Sequence, residues 1–293
     1  MMYYKVYGSE IVDVVVEIGL GASAGEWEQF AMKICDGHGV LVYERCGIGR
    51  SGMSDNPRTP CNIAKELHEL LAKIKHEEKL TFVGHSQGGL YAYAFCCMYP
   101  EMVKKLVLVD PLSTTDNDFK KKLSPREYKK SGVDKTASFK MIKVFLKLGM
   151  KKFIKKQMLS APPFYYYSKF TENQSKEITD CYINKTHLDT CIEEYVQSHD
   201  EKNISEIEKI PFDRTLPLVL ITHDSELAIK ENMEFGNNSR EFAKKVEMMW
   251  QEIMSYYLSV SDNTKHIKAK KSTHYIHLTE PEIIMQEIIF DFL

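Results

Sequence analysis

The chain has 293 residues, 43% hydrophobic and 27% charged, which allows one large α/β domain or two small ones around a sizeable core. Its net charge of −2 argues against a general nucleic-acid binder. Seven cysteines are an odd number without framework spacing, so free thiols in a reducing compartment are expected rather than a disulfide scaffold.

The opening "MMYYKVYGSE" lacks the basic-then-apolar order of a signal peptide. No later apolar run has the length of a membrane span, so a cytoplasmic protein without a transmembrane segment is expected. "IVDVVVEIG" (11–19) and "GVLVYER" (39–45) read as strands rich in β-branched residues. "TPCNIAKELHELLAKIKHEEK" (59–79) reads as a helix, with Thr59 as cap and Pro60 in the first turn. A strand "KLTFVGH" (79–85), a helix "QGGLYAYAFCCMYP" (87–100) and a strand "KKLVLVD" (104–110) follow. Beyond residue 215 come strands "PLVLITH" (217–223) and "TKHIKAKK" (264–271), with amphipathic helices "REFAKKVEMMWQEIMSYYL" (240–258) and "EPEIIMQEIIFDFL" (280–293). Strand–helix alternation predicts an α/β fold: a mostly parallel central sheet with helices on both faces.

The alternation breaks between residues 112 and 215, which carry helical patterns without a convincing strand. The expected organisation is a core of residues 1–111 and 216–293 with an inserted helical cap, 112–215, begun by Asp116 and Asp118. From Lys120 to Ser160 there are 13 lysines and one arginine against Glu127 and Asp134. Lys140, Lys143, Lys147, Lys151 and Lys155 share one helical face, with Ile142, Phe145, Leu146 and Phe153 opposite. The expectation is a lid helix with solvated lysines and an apolar underside. Weak contact with an anionic membrane surface and reception of an acidic substrate are the other readings.

Chemistry enters at "FVGHSQGG". Gly84-His85-Ser86-Gln87-Gly88 is a Gly-x-Ser-x-Gly run between a strand and a helix, the context of a nucleophile elbow. A sharp strand-to-helix turn brings backbone too close for β-carbons beside the serine, and the helix amino end favours negative charge near a reacting carbonyl. Such a serine needs a base, and in this template the histidine comes last in chain order. His274, in "KKSTHYIHLTEPE" between the last strand and the last helix, is that candidate. His277 is a decoy at the start of the final helical segment, and His85 is expected to pack beside the elbow. His38, His68, His76, His187, His199 and His266 are expected to be surface or packed residues. No Cys-x-x-Cys pair or His-Glu-x-x-His helix occurs, so no metal is expected. "GIGRSG" (47–52) fits a dinucleotide fingerprint by letter, but Pro57 and Pro60 follow and no helix opens there to hold a phosphate.

These residues together resemble the α/β-hydrolase superfamily, and within it the small lipase/esterase-like proteins. "VVVEIGLGASAGEW" resembles the first oxyanion loop, with Ile18-Gly19-Leu20 where the family usually has His-Gly. "VYERCGIGRSG" resembles its Tyr-Asp-Arg-x-Gly-x-Gly-x-Ser turn with Glu44 for the aspartate, and "KKSTHYIHLTEPE" its Ser-Gly-His…Pro-Glu ending with Thr273 for the glycine. The resemblance implies a Ser86–His274–acid triad, an oxyanion hole from the backbone N–H groups of Gln87 and Leu20, and no organic or metal cofactor. It leaves the acid open. The family's commoner position falls in "LITHDSEL", offering Asp224 or Glu226; a minority position falls on Asp110, which ends the strand before the cap. The implied activity is cleavage of a small ester-like substrate, carboxylesterase first, with lipase, thioesterase and peptidase chemistry compatible. An apolar group on that substrate is suggested by the aromatic stretch "APPFYYYSKF" (161–170). A non-catalytic ligand-binding member of the same fold is the alternative.

Overall fold

The β-branched and leucine-rich runs become strands, the periodic runs helices. The computed structural model describes residues 1–289, so the last four positions of the helix expected over 280–293 lie outside the described residues. The strands are β1 (Tyr4–Gly8), β2 (Val12–Glu17), β3 (Gly39–Tyr43), β4 (His76–His85), β5 (Val103–Val109), β6 (Leu218–Thr222) and β7 (Thr264–Lys268). They form one seven-stranded sheet in the order β1-β3-β2-β4-β5-β6-β7. Among the described residues, only the β1–β3 pairing is antiparallel.

Helices α1 (Ala24–Ile34), α2 (Pro60–Leu71) and α3 (Gln87–Met98) connect the first five strands. Between β5 and β6 lie α4 (Asp118–Lys122), α5 (Pro125–Ser131), α6 (Thr136–Lys147), α7 (Lys151–Leu159), α8 (Glu172–Cys181), α9 (Lys185–Ser198) and α10 (Glu201–Glu208), with no strand among them. The chain closes with α11 (Ser225–Gly236), α12 (Arg240–Ser255), α13 (Ile276–Thr279) and α14 (Pro281–Ile289). Among the described residues no helix is long and apolar enough to cross a membrane.

Both sheet faces are buried, as a parallel sheet requires. Leu80, Phe82, Leu106, Leu108, Leu218 and Leu220 face α2 and α3. Val83, Val107, Val109, Val219 and Ile221 face α1 and α14.

Two elements depart from the sequence reading. β1 is an extra edge strand; only Tyr7 of its five residues is buried, so it carries no two-residue apolar stripe to read. The helix expected over 59–79 stops at Leu71, and the chain enters β4 at His76, where it pairs with Val12. That pairing partner is 64 residues away in the chain, and its pull overrides the local helical pattern.

Candidate active site

The strand order reverses direction at β2 and β4. β2 connects outward to β3, and the chain then returns to lay β4 on the other side of β2. In open α/β sheets the crevice at such a reversal, outside the carboxyl ends of the strands, is where ligands bind. Two loops meet there: Ile18-Gly19-Leu20 after β2 and Ser86 after β4. Ser86 has φ 54° and ψ −127°, a conformation that costs a non-glycine residue about 1–3 kcal/mol. Its backbone N–H donates to Val109 O (3.1 Å) and its carbonyl accepts from Leu112 N (2.8 Å), which holds the turn against β5. The flanking glycines are set by close approach. A β-carbon on Gly88 would sit 2.3 Å from Glu17 O, and one on Gly84 would sit 2.8 Å from the Gly89 Cα.

His274 lies in the loop after β7, half-exposed, with Nδ1 2.7 Å from Asp110 Oδ2. Three bonds fix that loop. The Glu280 carboxylate accepts from Lys271 N and Ser272 Oγ, both at 2.7 Å, and His85 Nε2 donates to His274 O (2.9 Å). Asp110, at the end of β5, is the second residue of the site with a left-handed backbone, φ 49°. Asp224 faces elsewhere: its side chain caps α11 by accepting from Glu226 N and Leu227 N. Glu226 pairs with Arg240 at the surface (2.7 Å). Among the described residues the Ser86 hydroxyl makes no side-chain hydrogen bond to His274.

Asp110 has a second imidazole partner that sequence reasoning passed over. His223, at the end of β6, approaches Asp110 Oδ1 through Nδ1 (2.6 Å) and through its backbone N–H (3.2 Å). Its Nε2 meets Glu247 Oε2 of α12 at 2.9 Å. A histidine at the carboxyl end of an apolar strand adjacent to the one ending in Asp110 was the available signal. Burial pushes the Asp110 carboxyl up, but the His223 charge and bonds, with His274, outweigh it and hold Asp110 well below the usual carboxylate range. Burial opposes protonation of His223, yet Asp110 and Glu247 raise it from 6.5 to about 10. The stabilisation by His223 is therefore complete below pH 6.5 and lost as pH rises towards 10. The melting temperature of the wild type is expected to fall across that window, and His223→Gln to flatten the fall; equal slopes in scanning calorimetry would refute the pairing.

The Ile18–Gly19 segment is held by a buried guanidinium. Arg45, in the turn after β3, donates to Ile18 O (2.6 Å) and Gly19 O (3.2 Å). It also bonds Glu17 Oε1 (2.7 Å) and grips Glu194 of α9 through two bonds, 2.9 and 2.8 Å. One side chain thus ties the loop carrying Leu20 to the helices inserted between β5 and β6. Glu44, its neighbour in the chain, accepts from Ala24 N (3.1 Å) and Arg50 N (2.7 Å). Glu194→Gln is expected to lower stability by about 3–5 kcal/mol, because it strands buried charge; a denaturant titration showing less than ~1 kcal/mol would make the clamp dispensable.

Behind the serine, Glu26, His85 and His277 are the one group among the described residues whose ligand atoms, all within 4.8 Å of one another, could hold a metal ion. Two of those atoms already meet in a hydrogen bond, His277 Nε2 to Glu26 Oε1 at 3.0 Å. His277 also stacks on Trp27 with centroids 4.0 Å apart. Burial raises the Glu26 carboxyl to about 7 and holds both imidazoles well below their ordinary value. The three groups therefore form a neutral packed cluster at mildly acidic pH. His187 and His199 are packed as well: His187 accepts from Gly49 N (3.1 Å), and His199 joins Asp116 (2.7 Å).

Other expectations shift in detail. Leu20 packs with Phe139 and Ile142 of α6 and Leu188 of α9. "APPFYYYSKF" rests on α11, where Tyr166 donates to Glu231 (2.7 Å) and Tyr165 to Glu234 (3.1 Å). The single lysine face is corrected. Gly149, with φ 75°, divides the run into α6 and α7, and Lys143 and Lys155 turn inward to Asp189 and Asp180. Phe153, expected on the buried side, is exposed.

The model of the alpha/beta hydrolase fold family matches residues 14–133. YqjL of Bacillus subtilis strain 168 is 25% identical over 278 residues, covering 94% of this chain and 82% of its own. An alpha/beta hydrolase enzyme, MGS-M2, from a Medee basin deep-sea metagenome library superimposes with a TM-score of 0.64 at 16% identity, covering 99% of this chain and 96% of that one. The esterase EaEST from Exiguobacterium antarcticum superimposes with a TM-score of 0.61 at 14% identity, covering 98% and 94%. The reversed sheet order, the strained serine turn and these likenesses agree: the chain has the alpha/beta hydrolase fold.

Proposed function

We propose that the protein is a serine hydrolase that cleaves an ester-type bond through an acyl-enzyme, with Ser86 as nucleophile, His274 as base and Asp110 as acid. The observation that carries this reading is the 2.7 Å contact of His274 Nδ1 with Asp110 Oδ2, beside the strained Ser86 turn at the sheet reversal. With Nδ1–H committed to the carboxylate, Nε2 is the basic nitrogen and takes the proton from the Ser86 hydroxyl. The serine oxygen adds to the carbonyl, and the backbone N–H groups of Gln87 and Leu20 stabilise the oxyanion, each such donor contributing about 3 kcal/mol. Collapse breaks the ester bond; His274 returns its proton to the leaving alcohol, which departs. Water, deprotonated by the same imidazole, then adds to the acyl group, and its collapse frees the acid and restores the serine hydroxyl.

Helices α4–α10 act as the cap over this centre in the proposed reading. Phe139, Ile142 and Leu146 line its underside next to Leu20, which favours a substrate with an apolar acyl or alcohol group. A serine at the elbow is the wrong nucleophile for epoxide or haloalkane opening through a carboxylate ester.

A fluorophosphonate probe tests the proposal. Mass spectrometry is expected to find the adduct on Ser86, and a p-nitrophenyl ester series of increasing chain length to give turnover. No adduct on Ser86 and no turnover across the series would overturn it in favour of a non-catalytic binding pocket.

A further inference from the structure

The basic run of the sequence folds into a helical hairpin, α6 and α7, with two unlike faces. Inward, Phe139, Ile142 and Leu146 pack with Leu188 and Cys191 of α9, and Ile154 of α7 is buried. Outward, Met141, Val144 and Leu148 repeat at helical spacing and are 55%, 55% and 68% exposed. Met150, Phe153 and Leu159 continue the exposed apolar surface onto α7. An edge-to-face contact of Phe145 with Phe153, centroids 5.4 Å apart, fastens the two helices together. Of the 18 exposed large apolar side chains among the described residues, these six fall within residues 141–159, a concentration that scattered surface residues do not produce.

The charges around this surface sort in the same way. Lys143 and Lys155, on the inner flank, are paired with acids of α9 and α8. Lys140, Lys147, Lys151, Lys152 and Lys156 are exposed, and none of them appears in an ion pair among the described residues. Each exposed apolar side chain from Met141 to Phe153 has one of these lysines within a helical turn.

We propose that the α6–α7 hairpin docks on a membrane surface carrying anionic phospholipid. The apolar residues enter the headgroup boundary and the five unpaired lysines meet the phosphates. Lysine chemistry favours lipid over a protein partner. Protein interfaces enrich arginine and deplete lysine, whereas the run from Lys120 to Ser160 holds 13 lysines and one arginine. Lysine stems also lie along apolar surface while their ammonium groups stay at the phosphate level. Docking needs no catalysis by Ser86, so it stands or falls separately from the hydrolase reading.

The test is co-sedimentation of the full chain with phosphatidylcholine vesicles and with phosphatidylcholine–phosphatidylserine vesicles. Binding to the mixed vesicles is expected to exceed binding to the neutral ones by at least ~10-fold and to weaken as salt rises. The triple variant Lys147→Glu, Lys151→Glu, Lys152→Glu is expected to lose that preference. The variant Leu148→Asp, Phe153→Asp is expected to lose binding to both vesicles while melting as the wild type does. Equal affinity for the two vesicle types, no binding to either, or wild-type binding by both variants would overturn the proposal. So would binding that appears only when an acidic protein is added.

Discussion

Ser86→Ala is expected to lower kcat for any ester substrate by about 10⁶-fold, the scale on which losing the nucleophile of a serine hydrolase acts. Stability should hardly change, because the hydroxyl makes no capping bond in the folded chain. A second substitution at the same place separates chemistry from strain. Ser86→Gly removes the same hydroxyl but relieves the backbone at φ 54°. Strain of about 1–3 kcal/mol is released, against an entropic cost of about 0.5–1 kcal/mol for introducing glycine. Ser86→Gly should therefore be as inactive as Ser86→Ala yet melt higher than the wild type. Measurable turnover by both variants within ten-fold of the wild type would remove Ser86 from the reaction.

Asp110→Asn is expected to reduce kcat by about 10⁴-fold with the fold intact, since an amide cannot hold His274 in the tautomer that leaves Nε2 basic. The neighbouring candidate provides the control. Asp224 only caps α11, and asparagine caps nearly as well as aspartate, so Asp224→Asn should leave both kcat and melting temperature near wild type. The reverse pattern, a dead Asp224→Asn and a working Asp110→Asn, would transfer the acid to the other strand. Asp110→Asn carries a further consequence. The carboxylate also neutralises His223, so its loss leaves that imidazolium supported by Glu247 alone. The variant should consequently lose stability near neutral pH, where His223 is protonated, and lose less of it as pH rises towards 10.

The surface of α6 and α7 was only half legible. The lysine spacing marked an amphipathic run correctly, but one helix was expected where Gly149 makes two. That break rotates the second half, so Phe153 faces outward and Lys155 inward. A glycine able to turn the chain is visible in a sequence. Whether the chain turns there depends on what α8 and α9 offer to pack against, and Asp180 and Asp189 are 25 and 46 residues from their lysines.

What the sequence determined by itself is local or ordinal. Strand–helix alternation predicted the layered sheet, because the apolar period of each element is written in neighbouring residues. The serine turn was readable because close backbone approach at Gly84 and Gly88 demands glycine within four positions. His274 was singled out by its order after the last strand, and its Nδ1 lies 2.7 Å from Asp110 Oδ2. Tertiary structure alone decided how the side chains of distant elements converge. Asp110 and Asp224 both follow apolar strand ends and look alike in the sequence. Asp110 meets His274 because its backbone turns left-handed beside β4, while Asp224 is consumed by the first turn of α11. Arg45 reaching Glu194 across 149 residues, and His223 bridging Asp110 to Glu247, are bonds between elements that share no sequence neighbourhood. Propensity and periodicity act over a few residues. Which buried charges find partners depends on packing that only the whole chain completes.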